Sequence, residues 1–250
     1  MPAAFRAPGA CLPDPWGEMF GPLRTGTVDD LVVVGQLGQS LDGRIATNSG
    51  HSHYINGPAG LDHLHRLRAL VDAVVIGVRT ALVDDPQLTV RRVAGPSPVR
   101  VILDPRGRLP ASARVLAEDG VRRLVVTSST AHNALPAGVE IVALPAADGH
   151  IAPADVLAGL AARGLRRVLI EGGARTVSGF LSAGCLDRLH VLVAPVILGA
   201  GQASLALAPI DRVDHALRPP TRAYPLGEEV LFDCDLSAAR VPIGRAKKST

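Results

Sequence analysis

The chain has 250 residues, a formal net charge of +3, 47% hydrophobic residues and only 3% aromatic ones. The charge is small and its arginines are scattered, which argues against a nucleic-acid binder, and no apolar run reaches the ~18 residues that a membrane helix needs. Cys11, Cys185 and Cys234 show no metal-type spacing, and the N-terminus lacks a basic start followed by an apolar core, so a cytoplasmic protein is expected.

Residues 1–28 are rich in Pro and Gly, among them Pro2, Pro8, Pro13, Pro15 and Pro22, and read as a loosely ordered arm or linker. Trp16 and Phe20 are its candidate anchors. From Leu31 onward strands and helices alternate. Leu31–Leu37 reads as a buried strand. Pro58–Leu70 reads as a helix, with Pro58 in its first turn and Leu61, Leu64 and Leu67 along it. Ala73–Gly77, Val99–Asp104, Arg123–Thr127 and Val139–Leu144 are short apolar strands. Pro153–Arg163 is a helix with Val156, Leu157 and Leu160 facing inward, and Arg166–Ile170 is the strand after it. Arg188–Ala194 is another strand, and the apolar tract Leu189–Leu198 suits either a central strand or the edge of a dimer sheet. Val230–Leu236 alternates, with Val230, Phe232, Cys234 and Leu236 on one face and Asp233 and Asp235 on the other. That is the pattern of an antiparallel strand with one wet face. Residues 29–240 therefore form one α/β domain, a mixed sheet with helices on both faces, followed by a basic tail, residues 241–250, with Arg245, Lys247 and Lys248. With so few aromatics, Val, Leu, Ile and Ala must build the core.

Three segments at strand ends carry polar groups. Glu171-Gly172-Gly173 follows an apolar strand and opens an amphipathic segment, Ala174–Ala183, in which Val177, Phe180 and Leu181 share a face. Glycines at a helix start let the backbone approach an anion, and the free N–H groups of the first turn point at it. A tight turn without a ligand is the other reading. Ser40–Tyr54 mixes the Asp42-Gly43 turn with small polar residues, in the position where open α/β sheets bind ligands. Gly77–Arg91 offers Thr80, then Asp84 and Asp85 ahead of Pro86, and Arg91, a planar fork suited to carboxylate or phosphate. His63 and His65 are two apart on a helix and do not share a face, so solvated or capping histidines are expected and no metal site. No G-x-G-x-x-G follows the first strand, and no H-x-E is paired with P-C-x-x-C. Neither tyrosine has a lysine four residues on, which argues against a Tyr-Lys carbonyl reductase.

Taken together, SLDGRIA, VIGVRTALVDDPQLTVR, VILDPRGRLP and IEGGARTVSGFL resemble, in order and at matching intervals from about Val32 to Leu236, the pyrimidine reductase domain of riboflavin biosynthesis. The resemblance implies a dihydrofolate reductase-like fold, a mostly parallel sheet with an antiparallel C-terminal strand. It implies NADPH as hydride donor and 5-amino-6-(5-phosphoribosylamino)uracil as substrate, reduced to the ribitylamino compound. Ser52, Arg68, Leu88, Arg91 and Glu171 match substrate-contacting positions, and the two arginines suit the 5′-phosphate. Gly38, Tyr54, Thr80 and Asp84 match cofactor-contacting positions, as does the turn that runs through Gly173, Ala174, Arg175 and Thr176 to Gly179, just after Gly172. Tyr54 stands where Trp is common. Pro105 stands where a small hydroxyl residue often lies near the adenosine 2′-phosphate, and Arg106 is expected to supply charge there instead. Many family members join this domain to a zinc deaminase. Here a free-standing reductase, acting as a homodimer, is the expectation.

Hydride would add at C1 of the sugar after the ribosylamine opens to an imine, with the protein mainly positioning the reactants. A carboxylate near the developing positive charge would help, Asp84 first and Glu171 second. Two alternatives remain at this stage. One is a dihydropterin reductase on the same scaffold, which needs a carboxylate on the first helix to grip the ring; Asp62 is the only carboxylate in the predicted Pro58–Leu70 helix and falls a turn too late. The other is a non-catalytic NADPH-binding protein.

Overall fold

Alternation along the first strand decides how the centre is built. Val32 and Val34 turn toward one apolar cluster, Val33 and Leu37 toward another, and all four are buried. A strand covered on both faces needs a helical layer on each side. A computed structural model describes residues 2–7, 10–24, 28–52, 55–128 and 134–243. In chain order they form α1 (Pro2–Arg6), α2 (Trp16–Phe20), β1 (Val32–Ser40), β2 (Arg44–Ala46), α3 (Pro58–Leu70), β3 (Ala73–Gly77), α4 (Val78–Asp84), β4 (Val99–Leu103), β5 (Arg123–Ser128) and β6 (Val139–Leu144). They continue with β7 (Ala146–Ala147), β8 (His150–Ile151), α5 (Pro153–Ala161), β9 (Arg167–Glu171), α6 (Ala174–Ser182), β10 (Arg188–Ala194), β11 (Gln202–Ala203), β12 (Thr221–Leu226) and β13 (Glu229–Asp235).

The main sheet runs β12-β13-β10-β1-β9-β3-β4-β5-β6. All pairings from β10 to β6 are parallel, and β13 and β12 close the other edge antiparallel. On one face α3 and α4 contribute Leu67, Leu70, Val78 and Ala81 to the cluster that holds Val74, Ile76 and Ile102. On the other face α5 and α6 contribute Val156, Leu157, Leu160, Val177 and Phe180 to the cluster that holds Val75, Val101 and Ile170. Prolines at the first turns of α3 and α5 start both helices where a missing N–H does no harm. The mixed, mostly parallel sheet with helices on both faces and an antiparallel C-terminal strand is as the sequence suggests. Leu189–Leu198 resolves in favour of a central strand, since β10 lies between β13 and β1. No helix among the described residues is long and apolar enough to cross a membrane.

Three expectations are corrected. Residues 1–28 are not a loose linker where they are described. Phe5, Leu12, Met19, Phe20 and Leu23 are buried in the α3-side cluster. Each large apolar side chain removed from water contributes roughly 1.5–3 kcal/mol, which outweighs the turn-forming bias of the prolines around them. Trp16 stacks on Phe20 at 5.5 Å, Phe20 on His63 at 5.6 Å, and the Arg66 guanidinium lies 4.7 Å over the Trp16 ring. The faces of β13 are the reverse of those expected up to Asp233, whereas Leu236 is buried and Cys234 packs on the core as expected. Leu231 and Asp233 are fully buried and Glu229 nearly so, whereas Val230 and Phe232 are each 37% exposed. The reason lies on α3, which presents His63 and Gly60 to this end of the sheet and so calls for acceptors. Finally, His63 and His65 are buried rather than solvated. His63 Nε2 lies 3.0 Å from His190 Nδ1, and His190 Nε2 lies 3.2 Å from Asp233. Burial alone would raise the Asp233 carboxyl, but hydrogen bonds from His190 and Arg188 outweigh it and hold the group at about 2. The basic tail residues Arg245, Lys247 and Lys248 lie outside the described residues.

Candidate active site

The site is built where β1, β3, β4 and β9 end. Two of these strands pass directly into helices, and the two helix starts lock together. Gly77 caps α4 and Gly173 caps α6. A Cβ on Gly77 would lie 2.6 Å from Thr176 Oγ1, and one on Gly172 would lie 3.0 Å from Thr80 Oγ1. Each glycine thus makes room for a threonine of the other helix. Gly172 also has φ +106°, a conformation that L side chains rarely adopt. Thr80 Oγ1 accepts the Gly173 N–H at 3.1 Å, which fixes the bend. The amides of Ala174 and Arg175 open α6, where no intrahelical acceptor exists, and no acidic residue stands in that first turn. They face an open cavity of about 1330 Å³. Gly172, Gly173, Ala174, Arg175 and Thr176 all line it, so the bend is not plugged.

The SLDGRIA and VILDPRGRLP segments line this cavity through Ile45, Ala46, Leu103, Pro105 and Arg108, and each also carries an aspartate that holds its turn. Asp42 accepts hydrogen bonds from Ser40 Oγ and from the Leu198 and Gly199 amides, and these hold its carboxyl down at about 2. It braces the β1–β2 turn against the loop after β10. Buried Asp104 accepts the Leu109 N–H at 2.7 Å and so folds the DPRGRLP turn. That turn brings Arg108, with Pro105, to the cavity wall and leaves Arg106 outside it. Arg106 lies instead against Gly149, where a Cβ would meet its guanidinium at 2.5 Å.

A cluster of arginines marks another part of the same cavity. Arg68 grips Glu171 with a forked pair, Nε to Oε2 at 2.9 Å and Nη2 to Oε1, and the two side chains are 6% and 11% exposed. Arg91 lies near Arg68 and Arg114, and no carboxylate pairs with its guanidinium among the described residues. Burial, and then Arg68 and Arg114, pull its pKa down. Its main-chain N–H is accepted by His65 Nδ1 at 3.1 Å. Burial, followed by the repulsion of Arg68 and Arg91, pushes His65 down to about 4, so the imidazole stays neutral and able to accept. Arg68, Arg91 and Arg114 outnumber the carboxylates beside them, Glu171 and Asp85, whose Oδ1 accepts the Arg114 main-chain N–H at 2.8 Å, and the excess of positive charge is the electrostatics of an anion site.

Of the residues expected in the site, Ser52, Arg68, Arg91, Glu171, Gly38, Thr80 and Asp84 line the one cavity, together with the glycine bend. Asp84 is the last residue of α4 and is exposed on the cavity wall. Leu88 and Arg106 do not line it. Leu88 turns its side chain into the apolar core, 1% exposed at φ +57°, because burial of the isobutyl group offsets a backbone strain of about 1–2 kcal/mol. Tyr54 lies outside the described residues. Asn56, His65, Arg108 and Arg114 are cavity residues that sequence reasoning missed. Arg108 stood inside a quoted motif, two residues past the position chosen. Nothing in the spacing distinguishes His65. Asp62, the carboxylate a pterin would need, is bound to Arg92 at 2.7 Å and is not on the cavity wall.

Comparison with known proteins identifies the family. Residues 32–219 match the model of the RibD C-terminal domain. A Methanothermobacter thermautotrophicus protein, 2,5-diamino-6-ribosylamino-4(3H)-pyrimidinone 5′-phosphate reductase, is 34% identical over 80% of this chain and 96% of its own length. The riboflavin biosynthesis protein RibD of Aquifex aeolicus is 36% identical over 78% of this chain, which spans 54% of that protein. The crystal structure of a Thermotoga maritima diaminohydroxyphosphoribosylaminopyrimidine deaminase/5-amino-6-(5-phosphoribosylamino)uracil reductase matches with a TM-score of 0.71 at 30% identity. The match covers 82% of this chain and 56% of that one. The chain belongs to the RibD C-terminal domain family, the reductases of riboflavin biosynthesis.

Proposed function

We propose that the chain uses NADPH to reduce the ribosylamino group of a phosphorylated pyrimidine, 5-amino-6-(5-phosphoribosylamino)uracil or its 2,5-diamino counterpart, to the ribitylamino compound, and that it does so as a homodimer. Family membership implies a nicotinamide cofactor, which when bound supplies a hydride. The observation that carries the reading is one cavity with two anion-seeking features, an amide-lined glycine bend and an arginine cluster with too few carboxylates. A dinucleotide diphosphate fits the first and a sugar phosphate the second.

In this reading the Ala174 and Arg175 amides hold the diphosphate. Arg108, beside Pro105, meets the 2′-phosphate that separates NADPH from NADH. Arg91 grips the substrate phosphate, while Arg68 is shared between that phosphate and Glu171. Ser52 adds a hydroxyl. Leu61, Leu82 and Val83, exposed apolar side chains on the cavity wall, flank the planar rings. Opening of the ribosylamine to an imine leaves an electrophilic C1, and the Asp84 carboxylate eases positive charge on the nitrogen. Glu171 is already neutralised by Arg68, which suits it to orienting that arginine rather than to the chemistry.

The test is NADPH oxidation, followed by absorbance, with each of the two pyrimidines. Arg91→Ala is expected to raise KM for the phosphorylated substrate by about 10- to 100-fold, the loss of a charge-assisted contact, with NADPH affinity nearly intact. Asp84→Asn is expected to lower turnover far more than it weakens NADPH binding. NADPH binding without oxidation of either mixture would overturn the enzymatic reading.

A further inference from the structure

Glu229 comes from the C-terminal hairpin, far along the chain from the cavity, yet it is 4% exposed and carries three N–H groups. The Asn56 side-chain amide and the Gly57 main chain donate to Oε1, each at 2.9 Å, and Gly60 N–H donates to Oε2 at 2.9 Å. Gly57 is the N-cap of α3, so the carboxylate also meets the positive end of that helix. Gly60 is required for the approach, since a Cβ there would lie 2.5 Å from Oε2.

The pairing has a consequence for Asn56. A carboxylate can only accept, so the Asn56 nitrogen must face Glu229 and the amide cannot flip. Oδ1 is then turned the other way, toward the end of β1. A Cβ on Gly38 would lie 1.8 Å from it, so glycine at position 38 makes room for this oxygen. Asn56 and Gly38 both line the cavity, and no N–H or O–H among the described residues reaches Oδ1. A fixed carbonyl oxygen therefore stands beside Gly38, on a residue that lines the cavity, with no donor among the described residues.

We propose that Asn56, held by the positioning residue Glu229, binds a planar ring ligand by accepting a hydrogen bond from its amide-type N–H. The inference rests on the reductase reading, under which two ligands carry such a group, the nicotinamide carboxamide and the pyrimidine. Fluorescence titration of NADPH and the KM for the phosphoribosylaminouracil separate them. Asn56→Ala leaves Glu229 on the Gly57 and Gly60 amides and so keeps the helix cap. It is expected to weaken one of the two ligands about five- to tenfold, the worth of one neutral hydrogen bond. A rise in NADPH Kd assigns the oxygen to the carboxamide, and a rise in KM alone assigns it to the pyrimidine. Glu229→Gln, which upsets the lock, is expected to weaken the same ligand, with the double variant losing no more than the worse single one. Unchanged binding of both ligands by Asn56→Ala, or additive losses in the double variant, would overturn the proposal while the reductase reading stands. Failure of the wild-type chain to bind either ligand would overturn both.

Discussion

Replacing Glu171 with glutamine removes one charge from the cavity and strands another. Arg68 and Glu171 are forked together with little exposure to water, and each gave up hydration to be there. Removing one partner of a buried pair costs about 3–5 kcal/mol, because the survivor keeps its desolvation penalty without its counter-charge. Glutamine still offers one oxygen, and Arg68 Nη1 keeps a 3.3 Å bond to the Thr89 carbonyl. The lower end, about 3 kcal/mol, is therefore expected. In a domain of this size each kcal/mol moves Tm by about 2–4 °C, so the variant should melt roughly 6–12 °C below wild type. An anion in the arginine cluster would give Arg68 a new partner. Added inorganic phosphate should therefore raise the variant's Tm more than the wild type's. Thermal melts by circular dichroism, with and without phosphate, measure both effects. A variant within about 2 °C of wild type, or equal phosphate shifts in the two proteins, would refute the reasoning.

Two further outcomes are expected. Arg108→Ala should cut the preference for NADPH over NADH, read as the ratio of the two Kd values, while Arg106→Ala leaves that ratio unchanged. Acid should weaken the fold through His65, whose folded value of about 4 lies below the ordinary 6.5. The unfolded chain takes up a proton first, so stability is full above about pH 6.5, falls as pH drops toward 4 and then levels, a loss of about 3 kcal/mol from this group. His63, pushed down mainly by burial and next by His190, adds to the same slope. Denaturant titrations at pH 7, 5.5 and 4 check it, and His65→Gln should flatten the dependence.

The elements were legible where the period was clean. α3, β3, β6 and β10 fall on the residues that their spacing indicated, because strand alternation and a proline at N1 are local signals. The strand-end loops were legible for the same reason, since glycine and proline mark them. What escaped was decided by distant partners. β13 reads as apolar on the Val230 face, yet Asp233 and Glu229 turn inward to serve His190 and the start of α3, groups 40 or more residues away in the chain. The buried anchors of the N-terminal segment lay hidden among prolines, because composition reports chain stiffness and not what a side chain finds to pack on. Arg106 and Arg108 could not be separated without the hydrogen bond from Leu109 to Asp104 that sets the turn.

The reciprocal fit of Gly77 with Thr176 and of Gly172 with Thr80 makes the two crossover helices behave like meshed gears. A shift of either would drive a methyl or hydroxyl into the other's backbone. Transplanting one strand-to-helix junction from a relative without its mate should therefore jam the assembly, and successful chimeras should exchange both junctions as a set.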